Sequence, residues 1–242
     1  MRIGLLLCDD VAPELQVTHQ NYPEMFSALL TRLEPSVELV TYRVMEGQYP
    51  STIDDCDAYI ISGSKFGVND DIDWIHTFET FVWQLFAANK PAAGICFGHQ
   101  MMAKALGGEV VKSEKGWGVG VIQVERKSSH PFDWLNDGTS PDTYSLVVSH
   151  QDQVIEVPEN AVVLFGNDFC PVAMFHVADT FLAVQGHPEF SPAYSAALME
   201  RRKDSIPADV IQAGKVSLTN NIDSDAVTKW ILAFLKKAQG HH

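Results

Sequence analysis

The chain has 242 residues, 46% of them hydrophobic and 20% charged, a balance that fits a soluble globular fold and excludes a disordered or collagen-like one. Its 31 acidic residues outnumber 17 basic ones, for a net charge of −14. That argues against a polyanion-binding surface, so neither nucleic acid nor an anionic membrane is an expected partner.

Residues 2–8 form a short continuous apolar run ending in Asp9-Asp10, the pattern of a buried parallel strand. The run is too short for a signal peptide, and two aspartates stand where a small-residue cleavage site belongs. No stretch approaches the roughly 20 apolar residues of a membrane span. Apolar residues at 22, 25, 26, 29, 30 and 33 have helical spacing, and Glu34-Pro35 closes that helix. Strands are expected over 37–44 and 58–62, the second running into Gly63-Ser64-Lys65. Ile75, Phe78, Val82, Leu85 and Phe86 give residues 72–88 one apolar helical face. Small apolar residues from Pro91 to Ile95 then suit a buried strand, and an apolar helical run follows Cys96. The order β-α-β-β-α-β-α is that of a doubly wound parallel sheet. Function in such sheets gathers at the carboxyl ends of the strands, where Gly63 and Cys96 both fall.

After Gly107-Gly108 the pattern changes. Residues 119–125, 144–149, 154–157, 162–165, 172–175 and 181–185 read as short strands between turn-rich segments such as Asn136-Asp137-Gly138. They are expected to extend the sheet in antiparallel fashion and to supply its last parallel strand. Ser191-Pro192 caps a helix to about Arg202, and a final helix spans 223–237. With no linker or repeat, residues 1–239 are expected to form one domain; the terminal 240–242, Gly-His-His, resembles a tag remnant.

Cys96 lies between Gly94 and Gly98 at a strand-to-helix turn, where a nucleophile is held clear of the sheet. No packing reason for the two glycines is evident in the sequence. The helix N-terminus offers unpaired N–H groups and partial positive charge, which favour a thiolate over a thiol. A base is available in His187, after the strand 181–185, and Glu189 is placed across Pro188 to orient the imidazole. A lone cysteine is more often a small buried hydrophobe than a nucleophile, and Cys8, Cys56 and Cys170 are read that way. The four cysteines have no CxxC pair, so neither a disulfide framework nor a zinc site is expected, and a reducing cytoplasm is the expected compartment. His99 is expected to point to solvent or to a capping partner. His19, His76, His130 and His176 have no companion at metal-ligand spacing. The acidic run 69–73 reads as a helix N-cap rather than a metal site. Lys112-Ser-Glu-Lys115 reads as a solvated turn, and Trp117 as either pocket wall or packing.

Gly94-Ile-Cys96-Phe-Gly98-His-Gln100 and His187-Pro-Glu189 resemble the paired signatures of class I glutamine amidotransferases, whose catalytic triad is Cys-His-Glu. The resemblance runs from the first strand to about residue 200. It implies a three-layer αβα fold with a flavodoxin-like, mostly parallel sheet and an antiparallel extension. It implies attack of Cys96 on the γ-carbonyl of a glutamyl substrate, a γ-glutamyl thioester, and His187 as general base and then acid, with no metal and no cofactor. Oxyanion donors would be the N–H of Phe97 and one from the Gly63 loop. Gln100, Ser149, His150 and Gln151 would hold the glutamyl head group.

Three departures matter. Domains that feed a synthase commonly have an aromatic residue before His-Pro-Glu, where this chain has Gly186. The oxyanion loop reads Ser62-Gly63-Ser64 in place of the commoner Gly-Gly-Pro, and Asp70-Asp71-Ile-Asp-Trp74 follows it. This combination resembles the stand-alone branch that includes γ-glutamyl peptidases. The leading expectation is hydrolysis of the side-chain amide of glutamine with release of ammonia. The alternative is cleavage of γ-glutamyl peptides or glutathione-like conjugates, and a non-catalytic regulatory or binding subunit is the alternative from another class. The remaining residues leave no room for an acceptor-binding domain, so either a synthase partner chain uses the ammonia or the protein is a hydrolase in its own right.

Overall fold

A computed structural model of the protein describes residues 1–129, 132–135 and 141–239; His130, the Asn136-Asp137-Gly138 turn and residues 240–242 lie outside them. The first half runs β1 (Arg2–Leu7), α1 (Pro13–His19), α2 (Tyr22–Leu33), β2 (Glu38–Arg43), β3 (Ala58–Ile61), α3 (Asp73–Ala87), β4 (Ala92–Ile95) and α4 (Phe97–Ala105). The second half runs β5 (Glu109–Lys112), β6 (Gly118–Arg126), β7 (Thr143–His150), β8 (Asp152–Glu156), β9 (Ala161–Gly166), β10 (Met174–Val177), β11 (Phe181–Val184), α5 (Pro192–Arg201), α6 (Ala208–Ser217) and α7 (Ser224–Gln239).

Nine strands form one sheet in the order β2-β1-β3-β4-β11-β10-β9-β6-β7. From β2 to β11 the pairing is parallel, and from β11 to β7 it is antiparallel. The parallel half has the flavodoxin-like order, and its last strand arrives from the far end of the sequence, as the sequence led one to expect.

β3, β4 and β11 are buried along their whole length, and β1 everywhere but at Arg2. A strand covered on both faces reads as an unbroken apolar run rather than an alternating one. Alternate residues separate cleanly between two cores. Ile3, Leu5, Leu7, Ile60 and Ala93 pack with Phe26 and Leu30 of α2 and with Trp230 and Phe234 of α7. Leu6, Tyr59, Ile61 and Ala92 pack on the opposite face with Phe78, Val82 and Leu85 of α3 and Met101 of α4. The result is three layers, helix on sheet on helix.

Some elements differ from expectation. β8 does not join the main sheet; it pairs with β5 in a separate two-stranded ribbon that the sequence pattern does not announce. The strand expected over 172–175 forms two residues later, as β10. Helices α1 and α6 are absent from the sequence reading because their apolar faces are weak. α1 buries no residue, and α6 buries only Ile211 and Gly214. The acidic run 69–73 does not cap α3. The N-cap is Ile72, without a side-chain bond; Asp70 instead accepts the N–H of Gly67 at 3.0 Å and closes the loop before the helix.

The two glycines flanking Cys96 do have a packing reason. A Cβ on Gly94 would stand 2.5 Å from the backbone C and O of Gly98, and one on Gly98 would stand 2.7 Å from Ile61. β4, β3 and the first turn of α4 touch here with no side chain between them. Alanine at 94 meets backbone that cannot move aside, so Gly94→Ala is expected to destabilise by about 1–3 kcal/mol or more. For a chain of this size that lowers the melting temperature by roughly 2–12 °C, readable by calorimetry; an unchanged melting temperature would contradict the contact.

Candidate active site

Four adjacent parallel strands end on one edge of the sheet, and each delivers a side chain or backbone group there. Cys8 and Asp9 follow β1, Ser62 and Gly63 follow β3, Cys96 follows β4, and His187 comes shortly after β11. Sequence neighbours this far apart meet because the strands are in register: Ile61 lies beside Gly94, and Ile95 beside Val184.

Cys96 is the N-cap residue of α4 and has φ 53° and ψ −96°, a left-handed conformation that costs a non-glycine residue about 1–3 kcal/mol. Backbone bonds hold it there, from its N–H to the carbonyl of Val184 at 2.9 Å and from the N–H of Gln100 to its own carbonyl at 3.1 Å. The N–H of Phe97, at the first position of α4, is among those a helix leaves without an intrahelical acceptor.

His187 is almost fully buried. Its backbone N–H is fixed to the carbonyl of Val147 at 2.8 Å, its ring stacks on Phe190 with centroids 3.8 Å apart, and its Nδ1 meets Glu189 Oε1 at 2.7 Å. Burial alone would push the imidazole toward its neutral form. The Glu189 carboxylate and the Cys96 sulfur outweigh that, and the pKa rises to about 10. The imidazole also presses on Gly63, where a Cβ would come 2.8 Å from His187 Cε1 and 3.7 Å from Cys96 Cβ. Gly63, Cys96 and His187 are therefore in mutual contact range.

The loop after β3 is clamped to the end of β1. The N–H of Cys8 donates to Ser62 Oγ at 2.9 Å, and Ser64 Oγ donates to the carbonyl of Cys8 at 3.1 Å. The buried carboxylate of Asp9 accepts from the backbone N–H of Lys65 at 2.9 Å and from its Nζ at 2.8 Å. Asp9 was missed from sequence; an acidic residue at the end of an apolar strand was the only signal.

A cavity of about 550 Å³ opens beside Cys96. Phe97, Gln100, Ser149, His150 and Gln151 all line it, as do Lys65, Asp70, Lys112, Trp117, Asp152 and Arg202. Lys112 thus belongs to the cavity wall, while Lys115 reaches the backbone of Asp168. Gln100 spends its amide hydrogens on the carbonyl of Asp152 at 2.8 Å and on Gln185 Oε1 at 3.1 Å, which leaves its own carbonyl as the group to accept from a ligand. His150 is held by the backbone carbonyl of Asp152 at 3.0 Å, and burial lowers its pKa to about 4. His99 corrects the sequence reading. It is fully buried against Phe175, not directed to solvent, and burial with His150 nearby lowers its pKa to about 3. All four cysteines are buried and free. Among the described residues no cluster of His, Cys, Asp or Glu could hold a metal ion, and no helix is long and apolar enough to cross a membrane.

Residues 19–203 match the family model of class I glutamine amidotransferases. The chain belongs to that family. γ-Glutamyl peptidase 3 of Arabidopsis thaliana is 32% identical over 204 residues, covering 83% of this amidotransferase-family chain and 81% of its own. A GMP synthase of Shewanella loihica is 32% identical over 150 residues, 60% of this chain but 28% of its own. The crystal structure of a glutamine amidotransferase from Thermotoga maritima shares the fold, with a TM-score of 0.74 over 99% of both chains at 18% identity. As a class I amidotransferase family member with γ-glutamyl peptidase relatives, the protein is an enzyme of the hydrolase and amidotransferase class.

Gly186 has a structural explanation unconnected with substrate. A Cβ there would come 2.8 Å from Leu146 Cβ, and the residue does not line the cavity beside Cys96. The His187–Glu189 pair makes a spectroscopic prediction. Because the folded pKa is raised from 6.5 to about 10, His187 should stay protonated through neutral pH and lose its proton only as pH approaches that value. Glu189→Gln should bring the transition down by at least one unit. An NMR titration of the imidazole reads both; a wild-type transition near 6.5 would contradict the coupling.

Proposed function

We propose that the protein is a cysteine hydrolase of γ-glutamyl amide bonds, with γ-glutamyl peptides as its substrate class. Cys96 attacks the γ-carbonyl, and the imidazolium of His187 gives its proton to the departing amine as the C–N bond breaks. A γ-glutamyl thioester and a free amine result. Water, deprotonated by the now neutral His187, then attacks the thioester, releasing glutamate and the Cys96 thiolate and restoring the thiolate–imidazolium pair. Glu189 steadies the positive charge on His187 throughout. The N–H groups of Phe97 and Gly63 stabilise the tetrahedral oxyanions, each such donor typically being worth about 3 kcal/mol. Gln100 and the strand end at Ser149, His150 and Gln151 hold the α-amino and α-carboxylate groups.

The observation that carries the peptide reading is the cavity. Besides the glutamyl-holding groups its wall includes Trp117, Arg202 and Ser205, and its volume of about 550 Å³ exceeds what a glutamyl unit and ammonia would fill. One relative with a broad match is named a γ-glutamyl peptidase, which supports that reading. Glutamine hydrolysis, the first expectation from sequence, becomes the second reading. It is favoured by the match to a glutamine-hydrolysing GMP synthase, and ammonia released in this way would need a synthase partner to use it.

Glutamate release from glutamine and from a panel of γ-glutamyl dipeptides separates the two. Dipeptides should turn over with kcat/KM at least tenfold above glutamine, and turnover of glutamine alone would reverse the assignment. A diazo-ketone analogue of glutamine should label the wild type but not Cys96→Ser.

The clamp on the Gly63 loop gives a second test. Asp9→Ala removes the acceptor for the Lys65 N–H, whereas Asp9→Asn keeps an oxygen in its place. The Ala variant should lose about tenfold or more in kcat with little change in KM, since displacement of a group fixing the reacting geometry acts on the transition state. The Asn variant should recover most of it. Equal losses in both would remove the positioning role from Asp9.

A further inference from the structure

The cavity carries a cation that nothing in the chemistry so far employs. Arg202 is the C-cap residue of α5, a helix of 10 residues and therefore about 15 Å long, whose opposite end follows His187 and Glu189. Its neighbours are paired in the ordinary way: Arg201 meets Glu14 at 2.7 Å, and Lys203 lies 3.9 Å from Glu200. Arg202 lines the cavity instead. One of its Nη atoms donates to Ser149 Oγ at 2.8 Å, and the guanidinium lies over the ring of Trp117, 5.6 Å from the centroid. Among the described residues no carboxylate comes within 4 Å of it.

That lack of a partner is informative in a chain with 31 acidic residues and 17 basic ones. The cavity does contain carboxylates, but they gather elsewhere. Asp70 and Asp152 flank Gly67, where a Cβ would lie 2.9 Å from Asp152 Oδ2 and 3.3 Å from Asp70 Oδ1. Lys65, another cation of the wall, is taken by Asp9. Arg202 is thus held in place by a hydroxyl and an aromatic face, with donors of its planar fork uncommitted. A guanidinium fork matches a carboxylate, and a stacked ring beneath it keeps the fork from collapsing onto another partner.

We propose that Arg202, steadied by Trp117 and Ser149, receives the free carboxylate of the leaving group of a γ-glutamyl peptide. The proposal rests on the γ-glutamyl hydrolase reading and deepens it, because it names the part of the substrate that is recognised beyond the scissile bond. The preferred substrates are γ-glutamyl amino acids or short peptides with an unblocked C-terminus. γ-Glutamyl amines and C-terminal amides fill the same space without the charge.

The test compares one γ-glutamyl dipeptide with its C-terminal amide, alongside glutamine, on the wild type, Arg202→Gln and Arg202→Lys. The wild type should prefer the free acid over the amide by about 10- to 100-fold in kcat/KM, the range of a hydrogen bond to a charged group. Arg202→Gln should erase that preference by slowing the acid alone, leaving the amide and glutamine within about threefold of wild type. Arg202→Lys should retain part of the preference. A wild type indifferent to the free carboxylate overturns the proposal without any variant needing to fold. Equal losses on all three substrates also overturn it, since they place Arg202 on the α-carboxylate of the glutamyl unit. Should the wild type cleave neither dipeptide nor amide, the hydrolase reading fails separately. Calorimetric binding to Cys96→Ser then decides the anchor by itself: tighter binding of the acid than of the amide supports it, and equal binding overturns it.

Discussion

Everything at this site depends on a turn with no side chain inside it. The carbonyl end of β4 must reverse into α4 within one residue, and that residue is Cys96, in a conformation that L-amino acids avoid. The turn survives because Gly94 and Gly98 let three backbone segments lie against one another, and because Val184 and Gln100 each hold one side of the Cys96 peptide units. The same principle recurs one strand over, where Gly63 has no Cβ so that His187 can sit on it. Backbone contact at both places brings loops from β3, β4 and β11 close enough for chemistry between their termini.

Much of this was legible in the sequence, for identifiable reasons. Strands buried on both faces show as continuous apolar runs, so the parallel half could be read in order, and the last parallel strand was recognisable by the histidine and carboxylate beyond it. Gly94 and Gly98 mark the turn, but the sequence does not give their reason: they serve a three-way close approach that no sequence pattern reveals. The β5–β8 ribbon was invisible as a separate unit because a short alternating strand carries no label for its partner. α1 and α6 escaped because each buries too little to impose a periodicity. At the site, Cys96, His187 and Glu189 stand in compact motifs. Asp9, Lys112 and Arg202 are brought in by topology alone, and no spacing points to them.

The histidines show how burial sorts one residue type into different roles. His99 and His150 lie in the interior without a carboxylate partner, and burial keeps them neutral. His187 is as deeply buried, yet the carboxylate of Glu189 at 2.7 Å and the sulfur of Cys96 hold it on the charged side. The two outcomes are set by the groups that touch the ring, not by depth of burial. Removing one member of such a buried pair leaves the other charged and uncompensated, a loss that commonly reaches about 3–5 kcal/mol. Glu189 Oε2 has no hydrogen-bond partner among the described residues, so the imidazole is the carboxylate's one hydrogen-bonding neighbour there.

The two-stranded ribbon of β5 and β8 shares no ladder with the nine-stranded sheet, yet it carries Lys112 and Asp152 to the wall of the cavity. Part of the surface that faces the cavity is therefore built on a β-ladder separate from the one that supports Cys96, the two being joined by the Gln100 and His150 bonds to the Asp152 carbonyl. Substitutions in the ribbon can redraw the shape and charge of that surface while the strained turn keeps its supports.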